Sequence, residues 1–451
     1  MFVAGLPDEF DRCSSRDAFG ISRRCLLGAS VAGLTACVVG REQVAHATPA
    51  ATSSQSHKAV IHIYLNGGPS HLDTFDLKPS APAEYRGEFQ PIATKVPGIE
   101  ICELLPRMAA SMDRMSILRA VVANEQHCDA ETVTGYSSRV QRTGEHPSFG
   151  AVVSKKLGPV RDGIPPFVSL RAERWLKTDA ADFVHSTGSL GPNHRPFVPD
   201  EQGLSNLQLS GEVTLRRWAD RQSLLVQFES RREAFQLDPT IRDADSLTAK
   251  AIDLISSGTL YEAFDVSREP EKVRERYGST WPFTNYSKPP GTAMLAARRL
   301  IEAGVRCVCM GFVGWDTHVN NFKTLRTTLP LIDQAVTALI DDLHERGLGQ
   351  DVAVIMWGEF GRTPIINKDG GRDHWEPVMS ALIAGGGMKM GQVIGSTTSR
   401  GEVPQDRPYT VSQVLSTLYH NMGIDPAATF INASGRPIHI LDDRQFVTEL
   451  L

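Results

Sequence analysis

Apolar residues along this chain alternate between two rhythms, short unbroken runs and longer stretches with apolar positions three or four apart. Ala59–Leu65 is β-branched and aliphatic and runs into Asn66-Gly67-Gly68-Pro69, a turn signal, so it predicts a buried strand. Met115–Val122, Phe167–Leu170, Val305–Phe312, Asp351–Trp357 and Val378–Ala384 read the same way. Between them, Leu105–Met112, a stretch reaching to about Val140, Thr292–Glu302 and Thr410–Met422 carry helical spacing. A long helix is expected to open at Pro330, where a missing N–H costs nothing, with Ile332, Val336, Leu339 and Leu343 on one face. Strands alternating with helices of this length predict an α/β fold with a mostly parallel sheet. From about 171 to 290 the pattern changes: Leu215–Phe235 and Asp245–Ser256 read as charged helices between loops, a largely helical inserted cap.

The first 47 residues stand apart from this pattern. Arg23-Arg24 precedes an uncharged run from Cys25 to Gly40 that is too short and too weakly apolar to span a membrane, and Ala45-His46-Ala47 offers small residues for cleavage. This order predicts a twin-arginine export signal, a partnership with that export machinery and a periplasmic or extracellular location. Leu34-Thr35-Ala36-Cys37 offers the alternative of a lipidated Cys37. Residues 48–57 read as a polar linker and 58–451 as the working domain. Composition adds only exclusions. A formal charge of −5 with no basic stripe argues against nucleic acid, and nothing after Gly40 has the length and apolarity of a spanning helix. Cys102, Cys128, Cys307 and Cys309 match no zinc spacing; Cys307 and Cys309 alternate in a strand as small buried hydrophobes.

The unusual polar residues cluster just past predicted strand ends. Asn66, Ser70, His71 and Asp73 follow the first strand, and Glu125, His127 and Asp129 the second. Gly314-Trp315-Asp316-Thr317-His318 follows Val305–Phe312. Gly358-Glu359-Phe360-Gly361-Arg362-Thr363-Pro364 and then Gly371-Arg372-Asp373-His374-Trp375 follow Asp351–Trp357. Open α/β sheets bind ligands at the carboxyl ends of their strands, so these clusters are expected to converge. Asp316, His318, Glu359 and His374 form a mixed carboxylate and imidazole set suited to a divalent metal. Zinc, manganese and calcium are not distinguished by it. Arg362 and Arg372 offer forked donors suited to an oxyanion. His62, inside the first strand, reads as a core histidine, and His344 and His420 as surface residues.

These motifs, in this order over nearly all of 58–445, resemble the bacterial family known as domain of unknown function 1501, whose members are called sulfatase-like and which is grouped with the alkaline phosphatase superfamily. The resemblance implies a three-layer sandwich of the alkaline phosphatase and sulfatase type. It implies that Asp316, His318 and His374 hold one ion. Glu359 stands where the superfamily has Asp followed by His, but Phe360 cannot ligate, which implies a single ion. Asn66 or Gly67 replaces the superfamily's first carboxylate, with Asp73 as the candidate substitute. Asn66, His71, Asp73 and Arg372 are therefore candidates for a second site or for substrate contact. Cys128 lacks the Pro-Ser-Arg context of a sulfatase nucleophile.

The expected function is hydrolysis of a small-molecule or glycan sulfate or phosphate ester by a metal-dependent enzyme. Ser70, His127 and Arg362 are its candidate catalytic residues, with Ser70 or metal-bound hydroxide as nucleophile. The alternative is a non-catalytic metal-containing binding or assembly module on the same fold.

Overall fold

The computed structural model describes residues 57–123, 129–141, 145–170, 184–199, 258–284, 288–432 and 434–451. The expected export signal, residues 48–56 of the expected linker and most of the expected insertion lie outside them, as do the expected helices Leu215–Phe235 and Asp245–Ser256.

The main sheet is built from β1 (Ala59–Leu65), β2 (Met115–Val122), β3 (Phe167–Ser169), β4 (Cys307–Phe312), β5 (Val352–Trp357), β6 (Met379–Gly385), β7 (Gln392–Ile394) and β8 (Tyr409–Thr410). Its order is β7-β2-β6-β5-β1-β4-β3, with β8 also paired to β2. β1 runs parallel to β4 and β5 on either side, and only β6 runs against its neighbours. The fold is thus mixed α/β with a mostly parallel central sheet, as the alternating pattern predicts.

β1 is buried along its whole length because both of its faces are covered. Ile61 and Ile63 point into a core shared with α3 (Pro290–Ala303) and α4 (Asn321–Glu345), while Val60 and Tyr64 meet α2 (Phe149–Leu157) and α5 (Val411–Asn421). Helices on both faces make three layers. Each fully buried isoleucine of β1 contributes about 1.5–3 kcal/mol through apolar area removed from water. His62 is satisfied within this core, accepting from Trp357 Nε1 at 2.6 Å. Cys307 and Cys309 are buried beside each other with their sulfurs 4.0 Å apart, as alternation requires.

The long helix does not open at Pro330. α4 begins nine residues earlier, at Asn321, and runs through the proline. The ring sits on the exposed side of the helix, where water can satisfy the carbonyl that loses its donor. The apolar face continues unbroken across it, from Phe322, Leu325 and Leu329 to Ile332, Val336 and Leu339. Packing of that face outweighs the local cost. α4 also reaches out to a short helix, α1 (Pro106–Ala110), which has no side-chain cap of its own. Asp333 supplies it, accepting from the backbone N–H of Arg107 at 2.9 Å and of Met108 at 2.7 Å.

The helix expected to reach Val140 divides into Asp129–Thr134 and Ser138–Gln141. Within the expected insertion, the short helices Thr259–Phe264 and Glu271–Tyr277 place Leu260 and Tyr277 in the same core as β1.

Candidate metal centre

β4, β1 and β5 lie side by side, so the loops leaving their carboxyl ends meet at one edge of the sheet. Asp316 and His318 come from the loop after β4. His374 comes from the excursion after β5, where Gly361–Arg362 and His374–Trp375 pair antiparallel with Arg362 opposite His374. Phe360 lies under the imidazole, ring centres 4.3 Å apart.

Asp316 Oδ1 lies 3.1 Å from His374 Nε2 and 3.1 Å from His318 Nε2, and the two Nε2 atoms are 3.0 Å apart. These three residues form a group able to hold a metal ion through one atom each. The separations match the spacing of about 2.9–3.4 Å between neighbouring ligands of an ion with bonds of about 2.0–2.1 Å.

The second nitrogen of His318 settles its tautomer. Nδ1 lies 2.6 Å from Asp373 Oδ1, and an ionised carboxylate only accepts, so Nδ1 carries the proton in the neutral ring. Nε2 is left with its lone pair facing Asp316 Oδ1 and His374 Nε2. Such atoms come together when a cation lies among them or a proton is shared. A carboxylate that orients an imidazole in this way is a common outer partner of metal-binding histidines. The donor set fits a divalent ion.

Arg362 adds a built-in positive charge from beneath. Its Nη2 lies 2.6 Å from Asp316 Oδ1 although the side chain has no exposed surface. Nε donates to Gly68 O at 3.0 Å, Nη1 to Arg372 O at 3.1 Å, and Nη2 also to Gly67 O. Burial pulls the Asp316 pKa upward, but hydrogen bonds from His374 and Arg362 outweigh it and hold the carboxyl well below its ordinary range. Close approach of the loops needs small residues. Gly67 has φ 104°, and a Cβ there would lie 2.4 Å from Asp316 N; one at Gly371 would lie 2.0 Å from His318 O.

The remaining predicted residues fall in other places. Glu359 is buried and accepts from Gly67 N at 2.7 Å through Oε1; the group of three able to hold an ion does not include it. Arg372 and Asp73 form a buried ion pair at 2.7 Å, in which Asp73 also accepts from Ser70 Oγ at 2.6 Å and Asn321 Nδ2 at 2.9 Å. The other Arg372 donors go to Tyr85 O, Thr363 O and Pro364 O. Both arginines that the sequence offers for an oxyanion are thus turned inward onto protein oxygens. His71 is fully buried and hydrogen-bonds Gly401 O at 2.9 Å through Nε2. Asn66 is buried at the end of β1, its N–H donating to Phe312 O at 2.8 Å. Glu125 and His127 lie outside the described residues, as does the side chain of Asp129.

Sequence reasoning passed over Asp373 as a mere neighbour of His374. The signal available was a second carboxylate in the same short motif as a ligand histidine. A cavity of about 340 Å³ between Arg114, His344, Gly385 and Met388 lies at the opposite, amino-terminal edge of the sheet, away from these residues. Among the described residues, no helix is long and apolar enough to cross a membrane.

The family model described as "Protein of unknown function (DUF1501)" matches residues 57–451. No curated protein matches the chain. Among solved structures, the chain is similar to the lipoteichoic acid synthase LtaP from Listeria monocytogenes, at 10% identity and a TM-score of 0.37, over 86% of this chain and 75% of that one. It is similar to the PsFucS1 sulfatase from Pseudoalteromonas sp. at 10% identity and 0.35, over 82% and 68%. The phosphonate monoester hydrolase SpPMH from Silicibacter pomeroyi gives 13% and 0.32, over 82% and 74%.

Proposed function

The chain belongs to the DUF1501 family, and we propose that this member is a metal-dependent hydrolase of a sulfate or phosphate ester, acting outside the cytoplasm. The observation that carries the reading is the convergence of Asp316 Oδ1, His318 Nε2 and His374 Nε2 within 3.1 Å of one another at the carboxyl edge of the sheet.

Asp316, His318 and His374 would hold the ion, and the buried carboxylate of Glu359 would help balance its charge. A divalent ion supplies a Lewis acid for the ester oxygen and makes water a competent nucleophile at neutral pH. Asp373 keeps the His318 proton on Nδ1. Arg362 keeps Asp316 ionised and aimed. Phe360 backs His374. Water is the favoured nucleophile, because Ser70 Oγ is buried and already donates to Asp73. His127, a candidate catalytic residue by its place in the sequence, lies outside the described residues. The partner is a small-molecule or glycan ester.

A second reading, a metal-containing binding module, draws support from that same engagement of Ser70. Metal analysis together with a screen of aryl sulfates and phosphates separates the two. Wild-type protein is expected to carry one ion and to cleave an ester, His318→Ala and His374→Ala to lose the ion, and Glu359→Gln to lose cleavage. An ion without any cleavage favours the module. Unchanged metal content in both histidine variants overturns the site.

A further inference from the structure

We infer that Asn367 is a positioning residue for His318, holding both the backbone and the hydrogen-bond partner of that imidazole. The inference builds on the proposed metal site, but its first test needs no metal.

His318 and Asp373 are both on the outer rim, with side chains 44% and 53% exposed. A hydrogen bond between two such groups competes with water and is weak unless its partners are placed in advance. Asn367 does the placing. Its Oδ1 accepts from Asp369 N at 3.0 Å and Gly371 N at 2.9 Å, which leaves the NH₂ end facing the other way. Nδ2 donates to His318 O at 2.9 Å and points toward both Asp373 oxygens at 3.4 and 3.5 Å. One amide therefore ties the loop after β4 to the loop after β5, and it does so at the two ends of the His318–Asp373 hydrogen bond.

The surrounding backbone adds to the tie. Asn320 N donates to Asp369 O, Asn321 N to Gly370 O and Arg372 N to Thr317 O. These bonds set the distance between the loops. Among the described residues, only the Asn367 side chain reaches both the His318 carbonyl and the carboxylate that selects its tautomer. Without it, Asp373 keeps the bond from its own N–H to Thr363 Oγ1, but its carboxylate is free to rotate into solvent. The His318 ring would then lose the partner that keeps the lone pair on Nε2.

Two variants separate positioning from loop shape. Asn367→Ala removes everything. Asn367→Asp keeps an acceptor for Asp369 N and Gly371 N but has no donor for His318 O, and it sets a second negative charge beside Asp373. Long-range ¹H–¹⁵N spectra of metal-free protein read the His318 tautomer directly. Wild type is expected as the Nδ1–H form, and both variants as a mixture. Titration with zinc is expected to show affinity about 10–100-fold weaker in both, the usual effect of losing an outer partner, with the metal-free urea midpoint close to wild type. A wild-type tautomer in Asn367→Ala, or wild-type zinc affinity in either variant, overturns the inference. If wild-type protein takes up no zinc, the metal reading fails, while the spectra still decide the role of Asn367.

Discussion

Arg362 Nη2 meets Asp316 Oδ1 at 2.6 Å from the buried side, so the carboxylate that faces the two histidines is also the lid of a sealed guanidinium. The same guanidinium satisfies the carbonyls of Gly67, Gly68 and Arg372. Its first duty is to close the gap between three loops at the strand ends.

Replacing it should therefore cost stability before chemistry. Arg362→Met is expected to lower unfolding free energy by about 3 kcal/mol, because buried carbonyls lose their donors. Arg362→Lys, which reaches fewer acceptors, should fall between. Urea denaturation without metal measures both. A wild-type midpoint for Arg362→Met would show that the pocket closes without the guanidinium.

Asp73 and Arg372 make the sharper contrast. Their ion pair is buried on both sides, and removing one partner leaves an uncompensated charge. Arg372→Leu is expected to cost about 3–5 kcal/mol, while the folded fraction still binds metal as wild type does. Loss of metal with stability intact would instead assign Arg372 to the site.

Acid should weaken the fold through His71. Burial lowers its pKa, against an opposing pull from Asp76, so the folded chain keeps this ring neutral where the unfolded chain takes up a proton. The contribution is present above about pH 6.5, the ordinary histidine value, and is lost as pH falls below it. His71→Gln keeps a donor in reach of Gly401 O and does not titrate. Its stability should decline less steeply with acid, by up to about 1.4 kcal/mol per pH unit. His57 and His146, also lowered by burial, remain to give a residual slope. Identical slopes in variant and wild type would remove His71 from this account.

Export is tested at the arginine pair. Arg23→Lys with Arg24→Lys should strand the precursor in the cytoplasm, since the twin-arginine receptor reads the pair itself. Wild-type levels outside the cell would show that the signal has been misread.

Much of the molecule is legible in the sequence because its signals are local. β-branched runs ending in turn residues give β1 and β2 to the residue, since a strand buried on both faces has an unmistakable composition. The placing of Asp316, His318 and His374 just past strand ends follows from the same reading, because a parallel sheet gathers its loops at one edge. α4 shows where such reasoning stops. A proline marks a helix start by local cost, but the apolar face from Phe322 onward decides the outcome through packing.

The sequence by itself determined which residues have the chemistry to bind a metal and at which edge of the sheet they would gather. Only the tertiary structure decided which way each side chain faces. Arg362 and Arg372 are equally good anion binders as sequence, yet both turn inward, because unpaired carbonyls and the Asp73 carboxylate lie within reach. Asn367 has no distinguishing signal along the chain, and Asp373 has only its place beside His374 in one short motif. They matter because two loops from different strands bring Asp373 to the His318 ring and Asn367 to the His318 carbonyl, a proximity that loop packing creates and local sequence does not encode.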